Sequence, residues 1–166
     1  FYSIENDIKT VIGFILFSLV CSMVYIINDI NDIEKDKKHP RKCSRPLASG
    51  KVTKKEAYSL LAILAIIVIS GSILMNTGIY SSIILIVYLI LNMLYSKFLK
   101  NIPIIDVICL VTGFVLRVVY GASIIDVEVS NWLYLTIISF SFYLALGKRR
   151  NELQAGTDTR AVLKYY

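Results

Sequence analysis

The sequence predicts an all-α, polytopic transmembrane helical bundle, and three observations predict it. Of its 166 residues, 56% are hydrophobic, with a mean hydropathy of +0.65. The apolar residues gather into five long runs, 11–27, 57–75, 79–95, 104–125 and 130–147. Each is about long enough to cross a hydrocarbon layer of roughly 30 Å at about 1.5 Å per residue. The basic residues, finally, divide unevenly between the two sides of five alternating crossings. Nine lie in 28–56, two in 96–103 and five after residue 147, whereas the opposite side holds only Lys9 and Arg117 lies within a span. Five such runs as buried helices of a soluble protein would leave too little polar chain to cover them.

Inside lipid these runs must be helical, because the backbone has no water to bond to. The first run leads directly into the polar segment 28–56, the one long connection, which carries Pro40, Pro46 and Gly50. Thr53 with Glu56 makes a capping box that starts the second helix. A short turn at 76–78 begins the third helix. Pro103 suits the first turn of the fourth, and the fifth ends at Gly147-Lys148-Arg149-Arg150. The whole of 1–166 reads as a single transmembrane domain, and as an excerpt from a longer protein. The loop 28–56 and the segment 148–166 are its cytoplasmic, chemistry-bearing parts, by the bias of Lys and Arg toward the inside.

The net charge of +6 therefore records membrane topology first, and a nucleic-acid partner is excluded. Cys21, Cys43 and Cys109 are spaced for neither a disulfide framework nor a zinc site. His39 is the only histidine, so histidine-based metal sites and Ser-His-Asp chemistry have little support.

Polar residues gather instead at the cytoplasmic helix ends. If the first helix continues past its apolar run, Asn28, Asp29, Asp32 and Asp36 fall within roughly a 100° arc. Three carboxylates on one face repel one another without a cation. Mg²⁺ takes one or two carboxylates, waters and substrate phosphate, so this face is a candidate for Mg²⁺ that also holds a diphosphate. A solvated acidic helix end is the bland alternative, and Glu34, off the arc, fits it. Arg41, Lys42 and Arg45 follow, and arginine can bind phosphate oxygens through two nitrogens. Singly, each of these cations is as easily an ordinary inside-positive residue. In the fourth run, Asp106 and Arg117 lie about 16 Å apart along the axis and project about 20° from each other. Charges inside the membrane are functional candidates by default. Asp106, near the cytoplasmic end, can also reach water. Arg117, mid-helix, is expected on a cavity wall where it helps to bind a phosphate.

The motif Asn28-Asp29-x-x-Asp32-x-x-x-Asp36 closing a helix, followed by Arg45-Pro46-Leu47-Ala48-Ser49-Gly50, resembles the UbiA superfamily of intramembrane prenyltransferases. A further family pattern is similar to Tyr95-Ser96-Lys97-Phe98-Leu99-Lys100. The resemblance implies a UbiA-type bundle of nine spans around a cavity open to the cytoplasm, of which about five are present here. It also implies Mg²⁺ held by Asp29, Asp32 and Asp36, with Asn28, Arg41, Lys42, Arg45, Tyr95 and Lys97 binding substrate. Members acting on aromatic substrates carry a second pair of aspartates, and no such pair follows the fifth helix. The stretch Lys148-Arg149-Arg150-Asn151-Glu152 is similar instead to the branch that moves a phosphoribosyl group to a polyprenyl phosphate. That likeness implies phosphoribosyl diphosphate and a polyprenyl phosphate as partners. Arg149 would stabilise charge in the reaction, Lys148 and Glu152 would bind substrate, and Arg117 would line the cavity. Prenyl transfer from a prenyl diphosphate to an aromatic or other small acceptor is the competing enzyme reading. A transporter or channel fragment with a divalent-cation site is the non-enzymatic one. The implied location is the cell membrane, with the active site facing the cytoplasm.

The charge asymmetry carries a topological prediction. In intact cells, a Thr77→Cys variant should react with impermeant thiol reagents, and Cys43 should react only after permeabilisation. The reverse labelling would invert the topology.

Overall fold

The computed structural model of the chain describes residues 3–40 and 42–155, with the backbone alone at Glu152 and Ala155. Arg41, the side chain of Glu152 and residues 156–166 lie outside the described residues. Five helices follow one another: α1 (Ile4–Lys38), α2 (Lys54–Leu74), α3 (Gly78–Lys97), α4 (Ile105–Ile124) and α5 (Asn131–Ala155). Single 3-10 turns at Lys42–Ser44 and Leu99–Asn101 interrupt the connections. No strand occurs among the described residues. The sequence reading takes 1–166 as one domain, and the contacts gather into two compact units, Phe1–Gly78 and Ile79–Tyr166.

In the first unit, α1 runs without a break through its apolar run and on to Lys38, 35 residues in all. At about 1.5 Å per residue it is roughly 52 Å long, well beyond the hydrocarbon thickness. Its acidic end is thus carried past the apolar run as helix. Ser3 caps the start by accepting from the Asn6 N–H at 3.2 Å. The end is set by Pro40, which forces the preceding residue out of the helical region, and His39 is extended at φ −91°, ψ 129°. Gly13, Leu16, Phe17, Val20 and Val24 form the buried stripe of α1. Leu16 packs onto Gly71 of α2, where a Cβ would come within 2.7 Å of the leucine methyl. α2 starts at the expected capping box, with Thr53 and Glu56 satisfying each other's backbone N–H groups.

In the second unit, α5 lies along α4. Ser141, Ala145 and Arg149 are buried at intervals of four, one stripe of the α5 surface. Its small members let α4 approach, and Ala145 packs with Val107 and Val111. The α3–α4 contact includes a polar point where the Ser81 and Ser123 hydroxyls share a hydrogen bond of 2.8 Å. Elsewhere along the same contact, the Tyr88 ring lies against Gly113.

Isoleucine, leucine and phenylalanine side chains stand exposed along these helices, among them Ile66, Ile73, Ile86, Ile90 and Phe140. Apolar surface on that scale is tolerated when lipid is the solvent. Among the described residues, α1 to α4 are long and apolar enough to cross a membrane. The fifth expected run does form a helix. It is less apolar than the others because it takes in Asn131 at its start and Lys148-Arg149-Arg150-Asn151-Glu152 at its end.

The tight α4–α5 seam makes Ala145 sensitive to volume. Ala145→Leu in the purified full-length protein should lower thermal stability by about 1–3 kcal/mol. Tyr143→Leu, outward-facing and 74% exposed, should stay within about 0.5 kcal/mol.

Candidate active site

The continuous end of α1 sets Asn28, Asp29, Asp32 and Asp36 on one face, as their spacing requires. Arg45 returns over that face from the loop. It is held there by two backbone bonds, its own N–H to the Lys42 carbonyl at 3.0 Å and the Ser49 N–H to its carbonyl at 2.8 Å. Gly50 closes the loop at φ +78°, a conformation that favours glycine. The Arg45 Nη1 donates to Asp29 Oδ1 at 2.8 Å and to Asp36 Oδ2 at 2.9 Å. Asp36 is buried, Asp29 half-buried, and the Arg45 side chain remains 41% exposed. Two carboxylates nearly two turns apart therefore converge on one cation that can still reach water.

Asp32, on the same arc, lies 3.3 Å from Lys35. Glu34 pairs with Lys37 on the exposed side, as a solvated residue should. Among the described residues, no three His, Cys, Asp or Glu side chains gather into a metal site of their own. The sequence points to three aspartates for Mg²⁺, and the structure converges two of them. Asp29 and Asp36 fit a hard divalent ion nonetheless, since magnesium needs only one or two carboxylates and fills its shell with water and phosphate oxygens. Lys42 sits half-buried in the 3-10 turn, its N–H on His39 Nδ1 at 3.4 Å.

The second unit holds a different cluster. Arg149 is fully buried, and so is Asp106. Nε of Arg149 donates to Asp106 Oδ2 at 2.6 Å, and its Nη2 donates to the Tyr95 hydroxyl at 3.0 Å. The other Asp106 oxygen accepts the Val107 N–H at 2.8 Å. One buried guanidinium thus ties the last turn of α3, the first turn of α4 and the end of α5. The turn before α4 is shaped to deliver Asp106. Ile104 sits at φ +67°, ψ −45°, and the Ile105 N–H bonds back to the Pro103 carbonyl at 2.7 Å. That is a γ-turn of the rarer hand, a left-handed conformation for a β-branched residue that costs on the order of 1–3 kcal/mol.

Lys148 and Arg149, grouped together by spacing, have different surroundings. Lys148 is exposed, as is Lys97 at the end of α3, whereas Arg149 faces the protein interior. Arg117 keeps an exposed side chain. Its Nη2 donates to the Tyr88 hydroxyl at 3.0 Å, with the Tyr88 and Phe114 rings 5.8 Å and 5.4 Å away. The aromatic faces soften the cost of a cation at that depth.

Asp106 is the residue that sequence reasoning undervalues. A signal is present: under simple alternation the start of α4 and the end of α5 lie on the same side. A carboxylate at one and three cations at the other make a pair the expected arrangement.

Long apolar helices with charged residues collected at their ends define a multi-pass membrane protein. The model of the UbiA prenyltransferase family matches residues 3–164, and the chain belongs to that family. It is 35% identical over 158 residues to the decaprenyl-phosphate phosphoribosyltransferase of Mycolicibacterium smegmatis, covering 94% of this chain and 48% of that protein. The enzyme of the same name from Corynebacterium glutamicum is 32% identical over 163 residues, covering 96% and 49%. The digeranylgeranylglyceryl phosphate synthase of Saccharolobus solfataricus is 35% identical over 140 residues, covering 81% and 48%. The chain spans about half the length of these curated relatives.

A buried ion pair and its apolar replacement make opposite stability predictions. Arg149→Ala in the full-length protein should cost about 3–5 kcal/mol, since it leaves Asp106 buried without its counter-charge. Asp106→Leu combined with Arg149→Met should recover most of that loss. Thermal unfolding in detergent measures both. A double variant as unstable as Arg149→Ala would contradict the assignment.

Proposed function

We propose that the full-length protein transfers a 5-phosphoribosyl group from phosphoribosyl diphosphate to a polyprenyl phosphate, releasing diphosphate. The observation that carries the reading is likeness over more than nine-tenths of the chain to relatives named decaprenyl-phosphate phosphoribosyltransferase. The residues are chemically consistent with it. In the transfer, the bond from the anomeric carbon to the diphosphate breaks and its electron pair leaves with the diphosphate. A phosphate oxygen of the lipid forms the new bond to that carbon. The lipid phosphate is already ionised at neutral pH, so no general base is needed, and a chain with His39 as its only histidine can support the reaction.

Asp29 and Asp36, with Asp32 beside them, would hold Mg²⁺, which when bound supplies positive charge against the leaving diphosphate. Arg45 would turn from its carboxylates to the diphosphate oxygens, with Lys42 and Arg41 close to it in sequence. Asn28 lies within the same arc and would orient the donor. Lys97, Lys148 and Arg117 supply cations for phosphate in the second unit, with Glu152 close in sequence to Lys148. The acceptor's apolar tail stays in lipid while its phosphate meets a soluble donor. That division accounts for a site at the membrane surface, which the inside-positive charge puts on the cytoplasmic face of the cell membrane.

A second reading has its own observation. The likeness to digeranylgeranylglyceryl phosphate synthases favours prenyl transfer from a prenyl diphosphate to a small acceptor, with the same acidic face binding the diphosphate.

Membranes containing the full-length protein, given labelled phosphoribosyl diphosphate, should yield label in the lipid extract. Asp29→Asn or Asp36→Asn should lower the rate by on the order of 10²–10³ while leaving insertion intact. Label incorporated only from a prenyl diphosphate would select the second reading. Full activity in both variants would show the acidic face to be a solvated helix end.

A further inference from the structure

Arginine often meets a carboxylate as a fork, with one oxygen on each of two nitrogens. Arg45 does otherwise. Its Nη1 alone takes both Asp29 Oδ1 at 2.8 Å and Asp36 Oδ2 at 2.9 Å. Two carboxylates thus aim at one point of positive charge, the way carboxylates meet a metal ion. These oxygens cannot serve that nitrogen and a divalent ion at once, because the two cations would crowd the same two atoms. Nor can Asp36 be left bare. Its side chain is 6% exposed, and a buried carboxylate without a counter-charge is costly.

We infer that Arg45 couples the loading of the divalent ion to that of the diphosphate: it keeps Asp29 and Asp36 closed to the ion until diphosphate oxygens draw its guanidinium away. If Arg45 left the carboxylates with no other acceptor, its guanidinium would stand unpaired beside a dication. A diphosphate removes that penalty, since it accepts from Arg45 and also offers oxygens to the shell of the ion. The exchange needs only the side chain to move. The Arg45 backbone is pinned on both sides, to the Lys42 carbonyl at 3.0 Å and by the Ser49 N–H at 2.8 Å. The side chain, 41% exposed, can swing through water. Its ion pairs are also weak enough to yield, because solvent screens a half-exposed contact. Asp29 and Asp36 should therefore take the ion poorly by itself and well together with diphosphate. By linkage, each ligand then raises the affinity for the other by the same factor.

The inference rests on the proposed function only in taking the ligands to be a divalent ion and a diphosphate, which both transfer readings share. Its test uses Mn²⁺ and inorganic diphosphate with the purified full-length protein. Mn²⁺ binding without diphosphate would be followed by electron paramagnetic resonance in the wild type, in Arg45→Gln and in Lys42→Gln. Removing the competing guanidinium should tighten Mn²⁺ binding about tenfold in Arg45→Gln. Lys42→Gln removes a nearby charge and leaves the Arg45 bridge in place, so it should change that affinity by less than about threefold. Mn²⁺ held equally or more weakly by Arg45→Gln, or tightened as much by Lys42→Gln, would overturn the inference. Thermal unfolding of the wild type gives a second measurement that needs no variant. Mn²⁺ and diphosphate together should raise Tm by more than the sum of their separate shifts, and the full shift from Mn²⁺ alone would contradict the coupling. Mn²⁺ bound by none of the three proteins would remove the divalent-ion site and the inference with it. Should the wild type use only a prenyl diphosphate as donor, the phosphoribosyl reading fails, and these measurements, made without either substrate, still decide the role of Arg45.

Discussion

Arg149 and Asp106 each make the other's burial possible. Either charge alone at the end of an apolar helix would have to reach water or neutralise itself. Together, with the Tyr95 hydroxyl, they form a polar core where three helix ends meet. The small-residue stripe of α5, the strained turn at Ile104 and the first turn of α4 are all consistent with delivering these two side chains to one point. The sequence of the second unit reads as conventional membrane helix until this cluster is considered, and then its irregularities fall into place.

The first unit solves a related problem in the opposite way. Its carboxylates sit past the apolar run, on helix that continues to Lys38, and their counter-charge Arg45 is left partly in water. A half-exposed pair is weak as a stabilising contact and easily exchanged. That is the property a site needs if a phosphorylated ligand is to replace the resident contacts. Burial thus separates the two arginines, with Arg149 enclosed by protein and Arg45 still reaching water.

Much of this is readable from the residues. Five helices, the capping box at Thr53 and Glu56, and the acidic arc from Asn28 to Asp36 all follow from local spacing, which a helix preserves. What escapes local spacing is set by tertiary contact. The spacing of Lys148 and Arg149 suggests a shared cationic group, and only packing against α4 shows one buried and the other exposed. Asp106 is as readily a residue reaching water until its partner arrives from 43 positions away. Arg45, beside Arg41 and Lys42, reads as a phosphate-binding candidate or as one more inside-positive cation. Its double contact depends on a loop path that proline and glycine positions do not specify. Ile104 gives no warning, since a β-branched residue is among the last expected in a left-handed turn.

On the proposed reading the two arginines differ in kind, one exchanging onto phosphate and one remaining on protein. That difference would be visible in an experimental density map of the full-length protein bound to inorganic diphosphate and Mn²⁺, with the metal located by its anomalous signal. Metal signal is expected beside Asp29 and Asp36, with Arg45 turned onto diphosphate oxygens and Arg149 still on Asp106 and Tyr95. Diphosphate held by Arg149, with Arg45 unmoved between Asp29 and Asp36, would contradict it.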